Sequence, residues 1–213
     1  DAMASRFEET ANLMKKLSKK GFKLKKTNNN QLILHPDPKV FDQWGFISEE
    51  LPKLARSFFP LSDKRSDTFV AGLSMGGYGA FKLALSHPDR FAAAASLSGT
   101  LDIVQLIATS DKADPNRRKE MEDIFGPPEP VSGSGNNLFH LVDRLSKRKR
   151  RPMLYQWCGT EDFLFEHNER FYRHAKKRDV RITYSKGPGG HTWDKWDEQI
   201  EKVLAWLPIK GRA

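Results

Sequence analysis

Thr68-Phe69-Val70-Ala71-Gly72-Leu73-Ser74-Met75-Gly76-Gly77-Tyr78-Gly79-Ala80 reads as a short apolar strand, a tight turn holding Gly-Leu-Ser-Met-Gly, and the start of a helix. A five-residue G-x-S-x-G pattern is common by chance, so the flanking strand and helix carry the weight. A nucleophile elbow needs a serine on a strained strand-to-helix turn, with small residues two before and two after it. Side chains at Gly72 or Gly76 are expected to collide where the strand and helix backbones pass close together. Such a turn exposes the Ser74 hydroxyl, and the helix N-terminus aims backbone N–H groups at a developing oxyanion. The competing reading is a glycine-rich turn in an α/β unit, with Ser74 as a simple helix cap.

Strand and helix patterns alternate from Phe41 onward, which predicts a parallel sheet covered on both faces. Upstream of the elbow, Phe41 to Phe59 is helical, with Ile47, Leu51, Leu54 and Phe58 on one side. Pro52 either kinks this helix or lies in its first turn. Downstream, helix Tyr78–Ser86, the alanine-rich strand Phe91–Leu97, short helices over 102–125 and helix Leu138–Leu145 follow. Strand Met153–Cys158, helix Phe165–Lys177 and strand Val180–Tyr184 come next. The last helix is expected to bury Trp193, Trp196, Ile200, Val203 and Leu207. Ahead of this body, 5–40 reads as an atypical helix-hairpin segment: a helix over Arg6–Lys20, strands Phe22–Lys26 and Gln31–His35, and Asn28-Asn29-Asn30 as the turn. Asp1–Ala4 reads as an expression remnant around a start Met. The expected organisation is one domain, with 41–213 as its α/β core.

The 213 residues suffice for a sizeable core without staples. A single cysteine, Cys158, excludes an intramolecular disulfide and fits a reducing, cytoplasmic compartment. No apolar run is long enough to span a bilayer, and no signal-peptide core is present. A net charge of +9 raises the question of polyanions. The basic residues cluster at Lys15–Lys26 and at Lys147-Arg148-Lys149-Arg150-Arg151, with Phe22 as the one interleaved aromatic. Solvated faces are the plain reading, which sets nucleic acid aside as a partner; a polyanion site or a localisation signal is the competing one.

In such a sheet, reactive groups lie on loops just past the strands' C-terminal ends. Gly159-Thr160-Glu161-Asp162 follows one strand and Lys186-Gly187-Pro188-Gly189-Gly190-His191 the next. The order Ser, Asp, His is the one expected with a G-x-S-x-G elbow. His191 would take the Ser74 proton, and Asp162 would fix its tautomer. Asp162 could instead cap the following helix, and Glu161 is the adjacent rival acid. His191 could be a loop residue at the last helix, leaving His35, at the end of an early strand, as its rival. His87, His140, His167 and His174 lie at or within helical stretches. No grouping of His, Cys, Asp and Glu has metal-ligand spacing, so no metal is expected. Cys158 reads as a small buried residue.

Four separated motifs resemble one known family in the right order. They are Phe46-Ile47-Ser48-Glu49-Glu50-Leu51-Pro52, the elbow Ala71–Ala80, Trp157-Cys158-Gly159-Thr160-Glu161-Asp162-Phe163-Leu164, and Gly189-Gly190-His191-Thr192-Trp193. From about Phe41 to Pro208 the chain resembles the tributyrin esterase group, on the esterase D-like branch of the α/β-hydrolases. The resemblance implies Ser74 as nucleophile, Asp162 as acid, His191 as base and the Met75 N–H as one oxyanion donor. It implies short-chain acyl esters as substrates and no cofactor. It also implies a departure. Family members carry earlier strands, one ending in a His-Gly motif whose loop gives the second oxyanion N–H, and this sequence has no His-Gly pair. The reading is therefore an N-terminally shortened α/β-hydrolase fold, with Gln31–Asp37 standing for the next strand or with Arg6–Pro36 as unrelated sequence, suited to RNA binding. Besides an active serine esterase, a catalytically impaired hydrolase with an incomplete oxyanion hole follows from the same departure. A shortened sheet also exposes an edge able to pair with another copy of the chain.

Overall fold

The computed structural model describes residues 22–26, 32–36, 43–110 and 115–209. The expected helix over Arg6–Lys20 and the Asn28–Asn30 turn lie outside these residues. Contacts divide the chain into two units, Asp1–Leu61 and Ser62–Ala213.

In the first unit, β1 (Phe22–Lys26) pairs antiparallel with β2 (Leu32–Pro36), Leu24 opposite Leu34. A helical stretch follows, made of α1 (Gln43–Gly45), a π-helical turn (Phe46–Glu50) and α2 (Leu51–Phe58). Pro52 lies in the first turn of α2, where its missing N–H costs nothing. Ile47, Leu51, Leu54 and Phe58 are all exposed.

The second unit is built on a four-stranded, wholly parallel sheet in the order β3 (Phe69–Leu73), β4 (Ala93–Leu97), β5 (Met153–Gly159), β6 (Ile182–Gly187). The crossovers are α3 (Met75–Ser86) between β3 and β4, then α4 (Ile103–Ser110), α5 (Pro115–Phe125), α6 (Pro128–Ser132) and α7 (Leu138–Leu145) before β5. Helix α8 (Phe165–Lys177) joins β5 to β6, and α9 (Trp193–Trp206) closes the fold.

Strand periodicity explains why both faces are covered. Alternate residues point to opposite faces. Ala95, Leu97, Tyr155 and Trp157 form a core with Trp196 and Val203 of α9. Their neighbours Ser96 and Gln156 face the other way, toward Gly77 of α3 and Asn168 of α8. Phe81 of α3 packs on Phe171 of α8, ring centroids 5.5 Å apart, completing that layer. The result is the α/β-hydrolase-type, doubly wound parallel sheet, and it places every loop that follows a strand at one end.

The last strand and the last helix depart from expectation, and the alanine-rich strand begins at Ala93 rather than Phe91. The last strand begins at Ile182 rather than Val180, because Val180 donates its N–H to Ala175 O and closes α8 after the left-handed Asp179 (φ 55°). It then runs on to Gly187, pairing with Gly159. Trp193, the first residue of α9, is not buried: it is 69% exposed, with its ring against that of Trp196 (centroids 5.2 Å).

The run Lys147–Arg151 is only partly a solvated face. The Arg151 guanidinium donates to Arg148 O (2.9 Å), Asp179 O (2.8 Å) and Ser146 O (2.5 Å). Arg65 in turn donates to Arg151 O (3.0 Å) and Pro88 O (2.8 Å). A planar fork of donors suits this stitching of loops.

Candidate active site

Ser74 occupies the turn between β3 and α3 with φ 53° and ψ −122°, a conformation that L residues rarely adopt. Neighbours hold it there. Its N–H donates to Leu97 O (2.9 Å), and its carbonyl accepts from Thr100 N (3.2 Å) and Tyr78 N (3.2 Å). A Cβ added at Gly72 would lie 2.2 Å from Gly76 O, so the strand cannot carry a side chain there. The close approach on the helix side is at Gly77, whose Cβ would meet Ser96 Oγ at 2.6 Å. A Cβ at Gly76 would meet nothing within 4 Å. The expectation that both motif glycines relieve a backbone clash therefore holds for Gly72 and fails for Gly76. The carbonyl of residue 76, and not its Cβ, is the atom facing the strand.

His191 reaches Ser74 from the loop after β6. Its Nε2 lies 3.0 Å from Ser74 Oγ and its Nδ1 lies 2.9 Å from Asp162 Oδ2. With the proton on Nδ1, the ring donates to the carboxylate and leaves Nε2 free to accept from the serine. The ring is held between Phe163 (centroids 4.7 Å) and the edge of Trp196 (4.8 Å). Neither aromatic was legible as a neighbour of the histidine. Trp196 carried only a core-facing period, and Phe163 is largely exposed.

Asp162, on the loop after β5, has a fully buried side chain. Its Oδ1 accepts from Leu164 N (2.8 Å) while Oδ2 faces His191. This one carboxylate thus caps the next turn and also hydrogen-bonds the histidine, two settings that stood as alternatives in the sequence. Glu161 points elsewhere. Its Oε1 accepts from Thr160 Oγ1 (2.9 Å), and its Oε2 accepts from Gly189 N. Those hydrogen bonds, the one from Gly189 first, hold its pKa below the ordinary value. Glu161 N also donates to Gly189 O (3.2 Å), and a Cβ at Gly159 would overlap that same carbonyl. The rival acid is thus a clasp between the acid loop and the histidine loop.

The remaining histidines have other settings. His174 Nε2 lies 2.9 Å from Asp143 on α7, and His35 is a strand residue of the first unit. Cys158 is buried, and burial pushes its thiol pKa well up, which removes it as a nucleophile at neutral pH. Among the described residues, no group of three or more His, Cys, Asp or Glu could hold a metal ion, and no helix is long and apolar enough to cross a membrane.

Met75 is the first residue of α3, so its N–H belongs to the set that a helix leaves without an intrahelical partner. An apolar cleft of about 300 Å³ runs beside the elbow strand, lined by Leu73, Leu97, Trp193, Trp196 and Ile200. A second cavity of about 320 Å³, lined by Arg151, Arg181 and Trp206 among others, lies at the starting ends of β5 and β6, opposite the serine.

Comparison with known proteins identifies the family. The model of the family described as Putative esterase matches residues 34–207. The acetyl esterase of Caldicellulosiruptor saccharolyticus is 33% identical over 185 residues, covering 85% of this chain and 69% of that protein. Two Staphylococcus aureus structures superimpose with a TM-score of 0.69 each. One is the S-formylglutathione hydrolase FrmB, 28% identical, covering 83% of this chain and 70% of that one. The other is the fluorophosphonate-binding serine hydrolase FphF, 30% identical, covering 84% and 71%. The chain belongs to the Esterase family, among the carboxylic ester hydrolases of the esterase D-like branch of the α/β-hydrolases.

Proposed function

We propose that this chain is a serine esterase that hydrolyses short-chain acyl esters through an acyl-enzyme on Ser74. The observation that carries the reading is the unbroken relay from Ser74 Oγ to His191 Nε2 (3.0 Å) and from His191 Nδ1 to Asp162 Oδ2 (2.9 Å), on a strained elbow. In this reading Ser74 Oγ attacks the ester carbonyl as its proton passes to His191 Nε2. Asp162 stabilises the imidazolium, and the Met75 N–H donates to the oxyanion. Collapse of the tetrahedral intermediate breaks the C–O bond, and the alcohol leaves with the proton from His191. Water, deprotonated by His191, then attacks the acyl-enzyme and releases the acid, restoring Ser74.

A small acyl group is favoured by the names of the relatives, an acetyl esterase and an S-formylglutathione hydrolase. The apolar cleft beside β3 offers a place for a short hydrocarbon portion. The single, buried cysteine fits a cytoplasmic enzyme.

Fluorophosphonate labelling and hydrolysis of p-nitrophenyl esters of increasing chain length test the proposal. Labelling at Ser74, abolished in Ser74→Ala, and highest kcat/KM for acetate or butyrate are expected. Folded protein that stays unlabelled would refute it.

A further inference from the structure

We propose that Asn168 is a positioning residue that fixes the Asp162 loop against the Ser74 elbow; this rests on the triad reading above. Asn168 lies on α8 with no exposed surface. Its Nδ2 donates both to Gly99 O (2.9 Å) and to Leu164 O (2.9 Å). Gln156 Nε2, from the middle of β5, donates to Asn168 Oδ1 (3.1 Å) and to Asn168 O (2.9 Å). Both amide hydrogens and the amide oxygen are therefore used, and the pattern of partners fixes which way the amide faces.

Each partner leads to the site in one step. Leu164 is the residue whose N–H Asp162 Oδ1 accepts (2.8 Å). Gly99 precedes Thr100, whose N–H holds the Ser74 carbonyl (3.2 Å), and the Ser74 N–H is held by Leu97 (2.9 Å). One buried amide thus spans the loop after β4, which fastens the nucleophile, and the loop after β5, which carries the acid. Helix formation alone does not need this, because the Asn168 N–H already bonds Leu164 O (3.1 Å). An aliphatic residue of similar size would fill the space. What it could not supply is a fork of two donors set to the separation of two carbonyls on different loops.

The test compares Asn168→Leu and Asn168→Ala with Asn137→Ala. Asn137 caps α7, accepting from Phe139 N (3.0 Å) and donating to Ser132 O (2.7 Å), and is remote from Asp162 in the chain and in its bonding. With Asn168 acting on the acid, its loss lowers kcat by about 10²-fold, the effect of an ångström-scale misplacement, and leaves KM little changed. In an Asp162→Asn background the same substitution should cost little more, since groups acting as a unit are non-additive. Asn137→Ala should lower the melting temperature and spare kcat. Equal kcat losses in the wild-type and Asp162→Asn backgrounds would overturn the proposal, as would Asn168 variants with wild-type kcat.

Should Asn168 variants not fold, Gln156→Leu removes the donor that holds the amide while leaving Asn168 in place. It should lower kcat in the same direction, and an unchanged kcat would count against the proposal. Ester turnover is not the only readout. The low-field proton resonance of His191 Nδ1–H reports its bond to Asp162 directly. It should shift or vanish in Asn168→Leu and persist in Asn137→Ala; persistence in both overturns the inference. A chain inactive on esters with this resonance behaviour intact would defeat the proposed function and leave the positioning role standing.

Discussion

The two glycines that flank Ser74 in the motif should respond oppositely to alanine. At Gly72, the added Cβ lies 2.2 Å from Gly76 O and 2.3 Å from its carbonyl carbon. Ordinary contact begins at about 3.4 Å, so α3 must retreat from β3 by roughly 1 Å, and the obstacle is backbone, which has no rotamer to change. Helix α3 buries Tyr78, Phe81, Leu83 and Leu85 among others, so its retreat opens the core along its length. Gly72→Ala is expected to lose more than about 4 kcal/mol, the range of exceptional single substitutions. At Gly76 the Cβ meets nothing, and alanine is the better helix former by up to about 1 kcal/mol. Thermal unfolding checks both. Gly76→Ala should melt at or up to about 4 °C above wild type, while Gly72→Ala should be recovered poorly or melt far lower. A Gly72→Ala protein with wild-type stability, or a Gly76→Ala protein as damaged as Gly72→Ala, would refute the account of the elbow.

Asp162→Asn should keep the cap on Leu164, through its amide oxygen, yet present an amide to His191 Nδ1 and favour the wrong tautomer; kcat is expected to fall about 10⁴-fold with little change in melting temperature. Glu161→Ala should lower kcat by releasing the Gly189 N–H, whereas Glu161→Gln, still an acceptor, should rescue it. The Glu161 pKa is depressed in the fold, so its contribution is present above the unfolded carboxylate pKa and lost as pH falls through the lower folded one. The melting temperature of the wild type, but not of Glu161→Gln, should therefore show an extra fall below the ordinary carboxylate range, read from paired pH–melting profiles. Arg151→Lys should cost about 1–3 kcal/mol, because a lysine cannot donate to three carbonyls in a fork. Arg148→Lys, which alters an exposed contact to Asp89 at 3.5 Å, should change the melting temperature little.

The features legible in the sequence are those whose physics is local. An apolar strand, a glycine-bounded serine and a helix start predict the elbow within one stretch, and strand-end loops in chain order predict Asp162 and His191. Helix α8 was legible to the residue because its apolar period and polar flanks agree. Features that depend on two distant loops were not. Asn168 is one polar residue in a helix already rich in them, and only Gly99, Leu164 and Gln156 together give it meaning. Glu161 competed with Asp162 because neighbouring carboxylates look alike until the loop's direction is known. Trp193 fits the same helical stripe as Trp196 and Ile200, but periodicity does not say which residues of a stripe other elements cover.

The site also explains why its rigid parts are backbone-level. Ser74 is held in a costly conformation by Leu97 and Thr100, and the histidine loop is fastened by Gly189 to Glu161 at both its N–H and its carbonyl. Thr160 N donates to Gly187 O (2.9 Å), and Gly159 leaves room for Gly189 O, so the backbones of the loops after β5 and β6 also meet directly. The groups that would touch substrate are placed differently. Met75, Phe163 and Trp193 are all substantially exposed; the Phe163 ring lies against His191 and the Trp193 ring against Trp196. Exchanging Met75 or Trp193 leaves the hydrogen bonds among Ser74, His191 and Asp162 with their own supports, whereas exchanging Phe163 removes a ring that lies against His191. Gly72, Gly159 and Asn168 leave little latitude, because each sits where two elements meet: Gly72 between β3 and α3, Gly159 and Asn168 between two loops.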